Sequence, residues 1–406
     1  MAEDRIMLDR NKSKLYTFFS LYIAQSIPMS LFSTLLPVLM RQENFSLTAI
    51  GMLQLIKLPW IIKFLWAPVV DRKTSGLGTY KRWIFYSEFA YAFLILTIAF
   101  LNLKTNFLLV LVLIILSFAA SGTQDIATDA LTALSFNRKE RSRGNSMQSM
   151  GSFAGSLVGG GLLLILYKYT GWSFMLIGLS IFVILMIIPL AKYKDPAFTP
   201  RVGRTPIRMK DLLLFFGQRR ILTQLSFLIL FNSGLIGILA MLKPWLVDLH
   251  YPMANIGLMF SIFGSLCGCL GSYFSGNIIR RYGRGKAASL YACYILFTGL
   301  YFTCMSGFQL LSTVNLYIGI FLLWSSYGLA TVLIYTIAMD YVRAGREGTD
   351  FTLQIVILHF SSIFVAVSSG KLADTFGYTS LFVAESSLAF LSLLYVWFYF
   401  KKLFKA

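Results

Sequence analysis

Two aspartates four residues apart sit in the segment 121-SGTQDIATDALT-132, directly after the uncharged run 107-FLLVLVLIILSFAA-120. On a helix, Ser121, Asp125, Thr128, Asp129 and Thr132 fall on one face, with Gln124 at its edge. An aspartate at the centre of a membrane helix costs about 2.5–3.5 kcal/mol by insertion scales, so two of them need a use. Intramembrane acids face a partner or a cavity and mark a pathway, where they can take up and release a proton. Candidate partners stand in 52-MLQLIKLPWIIKFLWAPVVDR-72, where Lys57 and Lys63 interrupt another apolar run. At about 1.5 Å of rise per residue, Lys63 lies roughly 12 Å and Lys57 roughly 21 Å from Asp71, while Asp129 lies roughly 13 Å and Asp125 roughly 20 Å from Arg138. Each lysine has an acid at its own level, so the expected pairs are Lys63 with Asp129 and Lys57 with Asp125, with other pairings open. If water or a solute shifts the charge balance, the acids can carry protons and the lysines can hold an anionic group. The plainer reading is a static buried pair that only fixes helix packing.

Helices must position these groups, and the chain is built to supply them in a bilayer. Its 406 residues are 57% hydrophobic and 13% charged, with a mean hydropathy of +0.71, unlike a soluble domain. Apolar runs long enough to span recur, and twelve helices are expected, at 15–40, 46–70, 80–102, 105–136, 143–168, 172–192, 219–247, 253–279, 286–308, 312–341, 350–373 and 378–400. The net charge of +19 is explained by topology rather than by nucleic acid. With the N-terminus inside, 29 of the 36 Lys and Arg fall in inner segments, which places both termini in the cytoplasm. No cleavable leader is expected. Cys267, Cys269, Cys293 and Cys304 all fall within expected helices, read as packing positions, and no zinc spacing is seen.

The longest polar interval, 193–220, splits the helices six and six. The expected organisation is an N-terminal bundle at 1–192, a cytoplasmic linker at 193–218 and a C-terminal bundle at 219–406. A two-fold repeat is supported by matching basic loops, 67-APVVDRKTSGLGTYKR-82 and 276-GNIIRRYGRGKA-287. Gln148 to Gly171 and Gln354 to Gly377 also share one spacing, each Gly preceding an aromatic residue. A site between two such bundles is the pattern of a secondary transporter.

Further polar residues join the candidates. Gln25 and Gln148 are amides in apolar helices and can bind a solute or a neighbouring helix. His359 is the single His within a span, and either titrates or packs. Glu88 and Glu385 are placed near helix ends, Glu88 as a structural or gating residue and Glu385 facing outward. Lys243 and Trp245 read as interfacial anchors. Gly151, Gly155 and Gly159 recur every fourth residue, which allows close helix approach or gating.

The loop carrying Asp71 and Arg72, repeated with Arg280 and Arg281 at 276–287, resembles the signature loop of the major facilitator superfamily. That resemblance implies a gating role for these residues, although Arg280 stands where the family carries an acid. The elements 63-KFLWAPVVDR-72, 124-QDIATDA-130, 139-KERSRGNSMQ-148 and 159-GGGLLLILYKYTGW-172 resemble the AmpG-like branch, which holds muropeptide permeases, RhtX/FptX-type siderophore importers and acetyl-CoA transporters. It implies polar site positions at Lys63, Gln124, Asp125 and Asp129, and leaves Lys57 to the depth argument. The compact length and 36-LPVLMRQENFSLTAIGMLQLIKLPW-60 look more like the siderophore importers.

The expectation is an all-α membrane protein of the major facilitator fold, not an enzyme. It would import a mid-sized periplasmic solute across an inner membrane by alternating access. A siderophore is the leading cargo and anhydro-muropeptide the alternative. Proton motive force is the expected energy source, with no bound cofactor or metal, and a monomer is expected. The rival from another class is a membrane-embedded lipid- or glycan-modifying enzyme. His250 and His359, far apart, offer little to build one.

Overall fold

The computed structural model describes residues 2–42, 56–72, 77–103, 105–193 and 209–400. Most of the expected linker, at 194–208, and much of the second span, at 43–55, lie outside the described residues. Among the described residues the secondary structure is entirely helical. Nine helices there are long and apolar enough to cross a membrane. Two of the nine, Arg141–Lys192 and Glu347–Phe398, run 52 residues, and each contains one glycine with non-helical backbone. These are Gly171 (φ 71°, ψ −176°) and Gly377 (φ 81°, ψ 168°). A residue there leaves the helix with positive φ, which glycine adopts without a Cβ clash. Each long helix is therefore two spans. With residues 56–70 as part of another, the arrangement matches the twelve expected.

The chain forms two compact units, Met1–Asp211 with Val342–Thr352, and Leu212–Tyr341 with Leu353–Ala406. In the first, α1 is Ala2–Gln42, thirteen residues longer at its start than expected. The polar stretch 2–14 holds no helix breaker and continues the helix. The second span is described as α2 (Leu58–Ile62), a 3₁₀ turn at Lys63–Leu65 and α3 (Ala67–Arg72), whose last two residues lie past the expected end of the span. Pro59 and Pro68 fall at or near the starts of α2 and α3, where a missing N–H is tolerated. Next come α4 (Leu77–Ala99), α5 (Phe107–Ser135), α6 (Arg141–Leu157), a π turn at Val158–Leu162 and α7 (Leu163–Met186).

α6 lies along α1 because Gly151, Gly155 and Gly159 leave no side chain between them. A Cβ on Gly155 would stand 2.3 Å from Ser26 Cβ, and one on Gly159 2.3 Å from the Ile27 carbonyl. α4 packs against α5 and α7. One apolar cluster gathers Leu31, Phe32, Ile95, Ile114, Phe118 and Leu176, and another Phe18, Tyr22, Ile84, Ile126, Leu131 and Phe136. Gln25 on α1, Glu88 on α4 and Ser121, Gln124 and Asp125 on α5 fall between the stretches that feed the two clusters, and Asp129 lies within the second.

The second unit contains α8 (Ile221–Phe231) and α9 (Ser233–Asp248), a single span broken at Asn232. It continues with α10 (Ser265–Tyr282), α11 (Arg284–Gly307), α12 (Thr313–Asp340) and most of α13 (Glu347–Phe398). α10 and α11 both pack on α12. Of the four cysteines, Cys267 is buried, whereas Cys293 and Cys304 are exposed and so are not core packing positions.

Candidate functional site

The first half of α5 keeps an exposed apolar face at Leu108, Leu109, Val112 and Leu116. Its second half differs from the expectation of one polar face and one lipid face. Residues 124–133 are buried on every side. α1, α6 and the segment before Thr352 cover them: Gly348 sits so close that a Cβ there would meet Ile126 at 3.0 Å.

Inside this half the polar side chains form one cluster. The Lys63 ammonium pairs with Asp125 Oδ2, and both are buried, at 1% and 3% exposure. The same ammonium lies 4.3 Å from the centre of the Trp60 ring. Gln25 Nε2 donates to Asp125 Oδ1 at 2.9 Å. Asp129, 2% exposed, has a different set of partners. Its Oδ1 accepts from Tyr22 Oη at 2.7 Å and from Gln148 Nε2 at 3.0 Å. Asp125 and Asp129 stand one turn apart on α5. The Trp66 indole donates to Thr123 Oγ1 at 3.1 Å and holds the 3₁₀ segment against α5.

The expected pairing is corrected in both halves. Lys63 reaches Asp125 rather than Asp129, and Lys57 is exposed and does not share this cluster. The depth count took the second span as a regular helix. The 3₁₀ turn at Lys63–Leu65 rises about 2 Å per residue and the long lysine stem adds further reach, moving the ammonium toward the deeper acid.

Charge and hydrogen bonding in the cluster are unequal. One ammonium faces two carboxyl groups. Gln25 Oε1, Gln124 Oε1 and Gln148 Oε1 are buried without a partner, as are the hydroxyls of Ser121 and Thr128. Gln124 otherwise only touches the Leu21 carbonyl, at 3.4 Å. Such unmet acceptors are what a polar solute or ordered water would occupy. Tyr22 escaped the sequence reading, although its i, i+3 spacing with Gln25 puts both on one face of α1.

The other expected residues are placed as follows. Asp71, 1% exposed, is the hub of a second polar contact. It accepts from Tyr80 Oη at 2.6 Å, the Gly348 amide at 3.2 Å, and the Thr349 amide and hydroxyl at 2.6 and 2.7 Å. It therefore caps the start of α13, where unpaired N–H groups and the helix dipole favour an anion. Nearby, Arg343 pairs with Asp350 at 2.6 Å and Arg346 with Asp211 at 2.9 Å. Arg72, Arg280 and Arg281 are exposed. In the second basic loop it is Arg284, not singled out from sequence, that pairs with Asp340. Gly151 and Gly155 serve close packing on α1. His359 is half-buried in the second unit. There the buried Gln354 accepts from Gln224 Nε2 at 3.1 Å and donates to the Ala338 carbonyl at 2.9 Å. Glu88 is at the middle of α4 and fully buried, not near a helix end. Glu385 is 2% exposed and accepts from Ser369 Oγ at 2.6 Å, so it does not face outward.

A polytopic helical protein with a charged cluster buried among its spans, and glycine-broken helices repeated in each half, has the features of a membrane transporter. The chain belongs to the Major Facilitator Superfamily, whose family model matches residues 18–354. Among curated proteins it is 24% identical over 376 residues to the anhydromuropeptide permease of Escherichia coli K12, covering 90% of this chain and 75% of the permease. It is 23% identical over 289 residues to the putative transporter AmpG 4 of Rickettsia conorii, covering 67% of this chain and 69% of that protein. These relatives place it in the AmpG-like branch, as a transporter and not an enzyme. Among solved structures, the transporter FucP in its outward conformation matches with a TM-score of 0.72 at 15% identity, over 95% of this chain and 98% of that one. A bacterial homologue of the iron transporter ferroportin matches with a TM-score of 0.70 at 16% identity, over 95% and 98%. At these identities the structural matches speak for the fold alone.

Proposed function

We propose that the protein is a proton-coupled importer in which the Lys63–Asp125–Asp129 cluster is the coupling site. The observation that supports this most directly is the charge count: one buried ammonium serves two buried carboxyls. Leaving both acids ionised would strand an uncompensated charge away from water, at a cost of several kcal/mol. Binding one proton removes that cost, so gain and loss of a proton is tied to whether the cluster is sealed or open. Lys63 is then the group that can change partners, from Asp125 to an anionic group of the solute. Gln25, Gln124 and Gln148 supply amide contacts around it.

For the cargo we infer an anhydromuropeptide. Its peptide carboxylates would answer the lysine, and its sugar hydroxyls and amides the unmet amide oxygens. The alignment of 90% of this chain with a permease named for that cargo supports this choice over a siderophore, which remains the competing cargo. Import across an inner membrane, with both termini in the cytoplasm and the protein acting as a monomer, completes the reading. Alternating access between the two six-helix bundles, 1–192 and 219–406, is the proposed motion, with Asp71 among the contacts that gate it.

The test is whole-cell accumulation of labelled anhydromuropeptide and, in parallel, of iron-loaded siderophores, with and without a protonophore. Anhydromuropeptide accumulation that collapses with the protonophore is expected. Accumulation that persists with the membrane proton gradient dissipated overturns the coupling. Siderophore uptake alone overturns the cargo.

A further inference from the structure

Glu88 stands at the middle of α4 and is 0% exposed. Neither of its carboxyl oxygens has a hydrogen-bond partner. None of the ion pairs among the described residues includes it. The turns on either side are apolar core: Ile84 before it, Ala92 and Ile95 after it. An ionised carboxylate in that place, without a donor or a counterion, would cost several kcal/mol. Only the protonated, neutral form fits such a place.

A neutral acid that makes no hydrogen bond does little for packing. An apolar residue of similar size would serve better there and would cost less to insert in a bilayer. Its surroundings point elsewhere. Tyr91, one turn further along α4, is fully buried and directs its hydroxyl to the backbone carbonyl of Gln25 at 3.5 Å. The Ser121 hydroxyl, on the neighbouring α5, is also buried. Ser121 is one turn before Asp125 on α5, and the Gln25 side chain donates to Asp125. From α7, the other helix packed on α4, the polar contact in this stretch is Ser180 donating to the Ala92 carbonyl at 2.8 Å. So Glu88 is flanked by apolar core, and Tyr91, one turn on, bonds to Gln25, whose side chain holds Asp125.

We propose that Glu88 is a second proton-binding residue of the transport reaction, a reserve acid that exchanges its proton with Asp125 through the hydroxyls of Tyr91 and Ser121. In the forward step the Glu88 side chain turns to one hydroxyl, its O–H bond breaks and its proton passes to that hydroxyl. That hydroxyl releases its own proton onward, and a new O–H bond forms on the Asp125 carboxylate. Both hydroxyls end neutral, Glu88 becomes a carboxylate and Asp125 an acid. A proton from the aqueous phase restores Glu88 when the unit opens to water. This rests on the proton-coupled reading of the cluster.

The experiment uses the purified full-length chain in vesicles, with two readouts. Infrared spectroscopy follows the carbonyl stretch of protonated carboxylic acids in wild type, Glu88→Gln and Tyr91→Phe. Transport is followed with labelled anhydromuropeptide, both as accumulation driven by an imposed proton gradient and as gradient-free exchange. For Glu88→Gln we expect loss of one protonated-acid band, accumulation reduced to the protonophore level, and exchange retained. Tyr91→Phe should keep the acid, shift its band and slow accumulation while sparing exchange, and it serves as the second variant should Glu88→Gln fold poorly. An infrared spectrum unchanged by Glu88→Gln overturns the proposal, as does accumulation at the wild-type level. If wild-type accumulation ignores the proton gradient, the coupling reading fails by itself. The infrared arm then still decides whether Glu88 holds a proton.

Discussion

Lys63 pairs with Asp125 while Asp129, one turn along the same helix, is held by Tyr22 and Gln148. Two acids that look equivalent in sequence therefore have different partners, one cationic and one neutral. Removing one member of a buried pair leaves the other charge stranded, at about 3–5 kcal/mol, whereas replacing both is much less costly. Lys63→Met should lower the thermal unfolding temperature in detergent clearly, and the double variant Lys63→Met/Asp125→Asn should recover most of that loss without recovering uptake. Equal destabilisation by single and double variants would show that the pair carries no such energy. Asp125→Asn alone should insert normally and abolish accumulation, and wild-type uptake in that variant would remove Asp125 from the coupling site.

Asp129 depends on two donors to a single oxygen, Oδ1. Tyr22→Phe and Gln148→Leu each remove one, and a lost hydrogen bond to a buried acceptor costs about 1–3 kcal/mol. Because the donors share an acceptor, their effects should not add. A double-mutant cycle on thermal stability is expected to give an interaction energy of about 0.5 kcal/mol or more. A cycle that closes at zero would mean that the two side chains act independently.

The polar stripe on α5, the amides of Gln25 and Gln148 and the paired breaks at Gly171 and Gly377 were legible in the chain. Each follows from the fixed geometry of a helix or from the one residue type that tolerates positive φ. The partner of Lys63 was not legible, because it depends on a local 3₁₀ turn that nothing in 63-KFLW-66 announces. Tyr22 resembled the many aromatic residues of the membrane interface. The capping of α13 by Asp71 joins residues 277 and 278 positions apart, and no local pattern encodes that. Glu88 and Glu385 were misplaced for a related reason: an acid in an apolar run suggests a helix end until neighbouring helices show it to be enclosed.

The close approach of α6 to α1 makes a clean steric prediction. Gly155→Ala places a Cβ 2.3 Å from Ser26 Cβ and 3.0 Å from the Ile27 amide nitrogen, so the backbones must part. Overpacking of this kind costs about 1–3 kcal/mol. Gly178→Ala is the control, since a Cβ there meets nothing within 4 Å. Alanine also favours a helix over glycine by about 1 kcal/mol, so this variant should be neutral or slightly stabilised. Comparable melting temperatures for the two variants would contradict the packing.

Asp71 lies just past the expected second span, and burial raises its carboxyl from 3.8 to about 6, outweighing the hydrogen bonds from Tyr80 and Thr349. The nearby Glu347 pushes in the same direction as burial. An acid whose value is higher in the packed state than in the released state binds more protons when packed. Its stabilising contribution is therefore full below the released value and is lost as pH rises through about 6. The contact of Asp71 with Gly348 and Thr349 should thus be tighter at pH 5 than at pH 7. Hydrogen exchange at the Thr349 amide, corrected for the intrinsic effect of pH on exchange, should show greater protection at the lower pH. Asp71→Asn should abolish that pH dependence, because the amide side chain does not titrate. The same pH dependence in Asp71→Asn and wild type would assign it to another group and leave Asp71 as a fixed cap.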